Sequence, residues 1–386
     1  MTHHNINTLQ INRPWKKSKK RFIPGLVLND GYFHDLIKPI LSACFPSLRY
    51  AASRIGPCSD VLGIDTYISM DHNWGPQAQI FLTEEDHPKY SDEIKRVLSE
   101  EIPQDYKGFP TNWLLNQPNG GNHPEFSPDG KVNPNVEVLT VRQFVKDNLG
   151  IDYTNPITLR DWFAFSEQGL LHVVSGKIFH NDLPELEEMR AYFSYYPQPI
   201  WLLKMYAFWN AISEEQTFIG RCHHVQDEVG ERLITARIVN KLMKLCFYLE
   251  KKFHPYSKWF GTGFSKLNCA NDMKPIFQKI LKANSYNQRS QALCTACLKI
   301  AEMHNALNIT RPVPLEIVDY YQRGYKGLQT GNLVDVLAEA INQDMLKELG
   351  LSKLDSSDTR ILNIEPLLDD SNYARNPTLL RKMLLG

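Results

Sequence analysis

Residues 48–82 constrain this chain more than any other stretch, because two strand-like runs are separated there by a loop that neither strand nor helix can continue through. The first run, 48–55, is short, largely apolar and rich in small residues, and it breaks at Gly56-Pro57, where proline has no N–H to give a ladder. The polar segment that follows is closed by Gly63 and reads as a turn offering backbone N–H groups and the Ser59 hydroxyl to an anion. Asp60, in the same loop, has to point away for this to work. Twelve residues after Ser59, Asp71-His72-Asn73 opens the second run, 77–82. Alternate residues of a strand share a face, so Asp71 and Asn73 are expected to project together toward the loop. A phosphate-holding loop beside two metal-ligand side chains is a layout for chemistry on a nucleoside triphosphate.

The arrangement resembles the polymerase-beta-like nucleotidyltransferase superfamily, whose signature is a Gly-Ser loop at a strand-to-helix turn, an Asp-x-Asp pair about ten residues later and a third carboxylate on a later strand. More narrowly, Ser59-Asp-Val-Leu-Gly-Ile-Asp65 with Asp71-His-Asn-Trp-Gly-Pro76 is similar to the domain of unknown function 4037 family, whose members read Gly-Ser at the loop and Asp-His-Asp-Trp-Gly-Pro at the strand. Cys58 stands where that glycine is expected, and Asn73 where the second aspartate is expected. Gly220-Arg-Cys222 through Asp227-Glu-Val-Gly230, Pro255-Tyr-Ser-Lys-Trp-Phe-Gly261 and His304-Asn-Ala-Leu307 also look like family segments, so the resemblance spans most of the chain. It implies an α+β protein: a nucleotidyltransferase-like mixed sheet domain, then an all-helical bundle that helps close a nucleotide cleft.

A chain of 386 residues normally makes two domains. Its formal net charge is zero, which gives no electrostatic pull toward nucleic acid or anionic membrane. No apolar run reaches the length of a membrane span, and the first residues lack an apolar signal core, so a cytoplasmic protein is expected. Seven cysteines without regular spacing agree with a reducing compartment.

In chain order, residues 1–25 read as a polar basic tail carrying Lys16-Lys-Ser-Lys-Lys-Arg21, which is more simply a solvated segment than an RNA contact. The sheet domain is expected over 26–182. It would hold an amphipathic helix near 32–41, the two strands with their turn, a helix over 88–102 and a long Pro-, Gly- and Asn-rich loop over 103–135. Residues 135–140 alternate apolar side chains around Glu137, so Glu137 faces away from Val136 and Val138. Thr140 with Gln143 then reads as a capping box, and 170–174 as a strand. The superfamily's third carboxylate stands on such a later strand, which makes Glu137 the candidate and Asp182 the runner-up. From 183 to 386 long three-to-four-residue periodicities predict a helical domain. Within it Arg237, Lys241 and Lys244 form a basic stripe that could reach triphosphate oxygens, although a solvated face is the simpler reading.

Cys294-Thr-Ala-Cys297 and Cys222-His223-His224 have metal-like spacing but no second ligand pair, and buried packing explains the cysteines better. No Ser/His/Asp ordering, Gly-x-Gly-x-x-Gly or Walker loop is present. The leading expectation is therefore Mg²⁺-dependent transfer of a nucleoside monophosphate from a triphosphate, ATP foremost, to a hydroxyl of an unknown acceptor. Asp71, Asn73 and Glu137 would hold the metal; Cys58, Ser59, Gly63, Arg237 and Lys241 would contact the nucleotide. The rival is a degenerate nucleotide-binding or interaction protein, because Asn73 brings no negative charge and Cys58 adds a Cβ where phosphate approaches. An RNA-binding module fits poorly with zero net charge.

Overall fold

The computed structural model describes residues 22–115, 121–127, 130–351, 353–354 and 376–385; the basic cluster at 16–21 lies outside them. Contacts divide the chain into two units. The first holds the described residues up to Val141 together with Ser175–Glu188, and the second holds Arg142–Val174 and the described residues from Met189 onward. The division differs from a single boundary at 182. Residues 142–174 form helices (Val141–Leu149, Leu159–Ala164 and Glu167–Val174) that fold with the helical unit.

Among the described residues the first unit holds eight strands: β1 (Ala51–Arg54), β2 (Ala78–Phe81), β3 (Asp105–Tyr106), β4 (Phe109–Pro110), β5 (Asn112–Leu114), β6 (His123–Glu125), β7 (Val136–Leu139) and β8 (Lys177–Asn181). Four of them make a mixed sheet in the order β7-β2-β1-β8, with β1 antiparallel to both its neighbours and β2 parallel to β7. Alternation sorts the side chains of this sheet. Ala52, Ala78, Ile80, Val136 and Val138 face the core. They are joined there by Leu28, Tyr32, Phe33 and Ile37 of the first helical segment and by Ile94 and Leu98 of helix His87–Glu101. Burying each larger apolar side chain contributes about 1.5–3 kcal/mol, which holds helices and sheet together. Ser53, Gln79 and Glu137 share the opposite face, in register across β1, β2 and β7. The expected loop at 103–135 contains two small hairpins, β3–β4 and β5–β6.

The first helical segment is not a uniform α-helix. It runs Gly25–Tyr32, widens into a π-helical turn at Phe33–Ile37 and continues as Lys38–Cys44. A borrowed carboxylate caps its start, since Gly25 N donates to Asp65 Oδ2 at 2.7 Å.

The second unit is a helical bundle. Gln198–His224 and Glu228–Leu249 pack along each other as a hairpin, and the Asp227 side chain caps the second helix by accepting from Gly230 N at 2.9 Å. Ala270–Lys282, Tyr286–Ala306 and Gly331–Ala340 belong to the same bundle. A two-stranded hairpin, β9 (Ile317–Tyr320) with β10 (Tyr325–Leu328), packs on the helices, so the bundle is not purely helical. Residues 170–174, expected as a strand, lie in helix Glu167–Val174. The Ser166 hydroxyl accepts from Gly169 N at 3.0 Å and nucleates that helix, whose short apolar run fits either period. Among the described residues no helix is long and apolar enough to cross a membrane.

Candidate functional site

β1 delivers the chain into the loop with a buried clamp behind it. Arg54, 6 % exposed, grips Asp60, 1 % exposed, through Nε–Oδ2 at 2.8 Å and Nη2–Oδ1 at 3.0 Å. Asn29 Nδ2 adds a bond to Asp60 Oδ2 at 3.4 Å, while its Oδ1 accepts from Gln77 N at 2.9 Å. Burial by itself would disfavour the Arg54 cation, but the Asp60 charge, with the Cys58 side chain beside it, holds the guanidinium pKa above its ordinary value. Asp60 thus points inward, as a phosphate loop requires. Its pairing fixes the turn from behind.

In front of that clamp the backbone takes unusual conformations. Gly56 has φ 99° and Cys58 φ 104°, in the region that favours glycine, so a glycine at position 58 would sit there without strain. Gly63 N and Ile64 N close the turn onto Asp60 O and Ser59 O at 2.9 and 3.0 Å. The half-buried Ser59 hydroxyl makes no hydrogen bond among the described residues.

The segment after the loop departs from the expected strand. Thr66 and Ser69 form a capping box that winds Tyr67–Asp71 into a 3₁₀ turn. Asn73 follows in the left-handed region at φ 51°, and strand pairing begins only at Ala78. Asp71 and Asn73 therefore do not stand on one strand face. Asp71 Oδ1 pairs with His72 Nδ1 at 2.9 Å. Asn73 latches the β5–β6 hairpin: its N donates to Asn122 O at 2.7 Å, and its Oδ1 accepts from Asn122 N at 3.2 Å.

The polar residues on the loop side are instead Gln77, just before β2, and Gln79, on it. Gln77 Oε1 accepts from Asn135 Nδ2 at 3.1 Å, and Gln79 reaches Ile55 and Glu137. The sequence reading missed this pair, although the Gln77-Ala-Gln79 alternation at the head of the second run was its signal. Glu137 is exposed between buried Val136 and Val138, at the end of the sheet where β1 runs into the loop, because Val136 pairs with Ala78. Asp182 lies past Asn181, the partner of Ala51, at the other end of β1. Three strand steps at about 3.3 Å each separate those ends, which removes Asp182 from the site. It pairs with His180 Nε2 at 2.8 Å.

In the helical unit Arg237 and Lys241 both engage Glu215, at 3.1 and 2.6 Å, while Lys244 is buried with its Nζ 5.5 Å from the centre of the Phe208 ring. All seven cysteines are free thiols. Cys297 is buried, and burial pushes its thiol pKa up, which does not suit a metal-binding thiolate.

A two-Mg²⁺ site is the group the resemblance implies, and this donor set does not fit one. Among the described residues no three His, Cys, Asp or Glu side chains gather where a metal could sit. The Asn73 carbonyl is already an acceptor, and the strand position facing Glu137 is a neutral amide, Gln79.

Residues 162–260 match the family model described as Domain of unknown function (DUF4037), a span that includes Gly220–Gly230 and not the loop at 55–63. None of the curated proteins compared matches the chain. Among solved structures, a nucleotidyltransferase-like protein from Exiguobacterium sibiricum 255-15 is similar at 10 % identity and a TM-score of 0.30, with 83 % of this chain and 91 % of that chain covered.

Proposed function

We propose that this chain binds a nucleoside triphosphate, ATP foremost, with residues 56–63 around its outer phosphates, and that it lacks protein-held two-metal nucleotidyl transfer. The observation that carries the reading is the Ser59 hydroxyl: it is half-buried, has no hydrogen-bond partner among the described residues, and belongs to a turn clamped by Arg54 and Asp60. A hydroxyl and N–H groups held this way meet phosphate without reorganising. The transfer reading loses ground because Glu137 is the single carboxylate on the sheet face beside the loop, and two clustered Mg²⁺ ions depend on bridging carboxylates.

Titration calorimetry with a non-hydrolysable ATP analogue tests the binding. Natural protein should bind, and Ser59→Ala should weaken affinity about ten- to a hundredfold, the worth of a hydrogen bond to a charged group. Equal affinity of the two proteins, or no binding by either, sinks the proposal. Following label from the α-phosphate into acid-stable products with natural protein, Asp71→Ala and Asn73→Asp tests the absence of transfer. Transfer by the natural chain that vanishes in Asp71→Ala would restore the enzyme reading.

A further inference from the structure

Gln79 lies in the middle of the sheet, opposite Ser53 on β1 and beside Glu137 on β7, and its amide is fully used. Oε1 accepts from Ile55 N at 2.9 Å and from the Ser53 hydroxyl at 3.2 Å. Nε2 donates to Ile55 O at 3.1 Å and to Glu137 Oε2 at 3.3 Å. A primary amide has two N–H donors and two acceptor lone pairs, so these four partners saturate it. Two of the bonds go to the backbone of one residue, Ile55, immediately before the turn at Gly56. Another goes to the carboxylate at the same end of the sheet.

No other side chain of that size satisfies all four partners. A carboxylate at position 79 could accept from Ile55 N and Ser53, but it would oppose Ile55 O and the Glu137 carboxylate with negative oxygens. Methionine would fill the volume and leave both backbone groups of Ile55, which is fully buried, without these partners. An unmade bond of that kind is expensive because water cannot replace it.

We propose that Gln79 is the positioning residue of this site: one neutral amide couples the start of the loop to Glu137, and so does by hydrogen bonding what a bridging cation does where carboxylates cluster. That the loop held in this way receives phosphate rests on the function proposed above; the coupling of Ile55 to Glu137 does not.

The test uses the full chain with Gln79→Glu, Gln79→Met, Glu137→Gln and the double variant Gln79→Glu/Glu137→Gln. Thermal unfolding, hydrogen exchange at the Ile55 amide and calorimetry with the ATP analogue are measured on each. Gln79→Glu should lower Tm by about 5 °C and speed exchange at Ile55. Glu137→Gln alone should change little, since its carbonyl still accepts from Gln79. Added to Gln79→Glu, it should recover part of the lost Tm, because the two carboxylates no longer oppose each other while the opposition to Ile55 O remains. Gln79→Met should also expose Ile55 to exchange and should not be rescued by Glu137→Gln, which separates an electrostatic coupling from loss of packing. Natural Tm and Ile55 protection in Gln79→Glu, or a double variant no better than Gln79→Glu, overturns the positioning role. If that cycle holds while the natural chain binds no nucleotide, the proposed function fails and the role of Gln79 stands.

Discussion

Asp60 and Cys58 show how much of the loop is decided by single side chains. Removing one partner of a buried, bidentate ion pair leaves the other uncompensated, so Asp60→Asn should cost about 3–5 kcal/mol in urea unfolding, with an unchanged m value. Cys58→Gly should act in the opposite direction. It relieves a non-glycine residue at φ 104° and should raise stability by about 1 kcal/mol, read as a higher Tm. The family resemblance marks position 58 as unusual, since its members carry glycine there. The sequence does not show the Arg54–Asp60 clamp. Nothing in the residue types says that Arg54, at the end of a strand of small residues, turns inward to meet a loop carboxylate six positions on.

Elements with a single strong period were legible, and elements set by local capping were not. Helix His87–Glu101 and strand β7 follow from their spacing, because one face of each is buried and the other wet. The 3₁₀ turn at Tyr67–Asp71 was hidden because Thr66 and Ser69 decide it through side-chain bonds to the backbone, which leave no hydrophobic period to read. Hairpin β9–β10 was likewise lost among helical patterns. Helix Tyr286–Ala306 carries a pH-dependent feature at its end. His304 is fully buried, its Nε2 lies 2.9 Å from Thr310 Oγ1, and its Nδ1 has no hydrogen-bond partner among the described residues. Burial pulls its pKa down to about 4. The unfolded chain therefore binds the proton first on acidification. Stability that is present above pH ~6.5 should fall as pH approaches ~4, by about 1.5 kcal/mol between pH ~6.5 and ~5 from this residue. Tm measured against pH should drop more steeply for the natural protein than for His304→Gln, and equal slopes would show that His304 does not titrate in this range.

At the scale of the whole chain, the sheet unit is interrupted in sequence: β8 comes after the excursion of residues 142–174 into the helical unit. A fragment ending at Val141 lacks the strand that pairs with one side of β1, and it should fail to unfold cooperatively in denaturant. Replacing residues 142–174 by a short Gly/Ser linker, with the chain ended at Glu188, should restore a cooperative transition, because loop closure costs little beside the regained strand pairing. Cooperative unfolding of the shorter fragment would mean that β8 is dispensable. The same interruption governs the order in which the protein is made. While a ribosome synthesises the helices between β7 and β8, at about 5–20 residues per second, β1 waits for seconds with one edge unpaired. An open edge of that kind is a template for strands of other chains. Newly made protein is thus most exposed to misassembly in the interval before Lys177–Asn181 emerges and docks on β1.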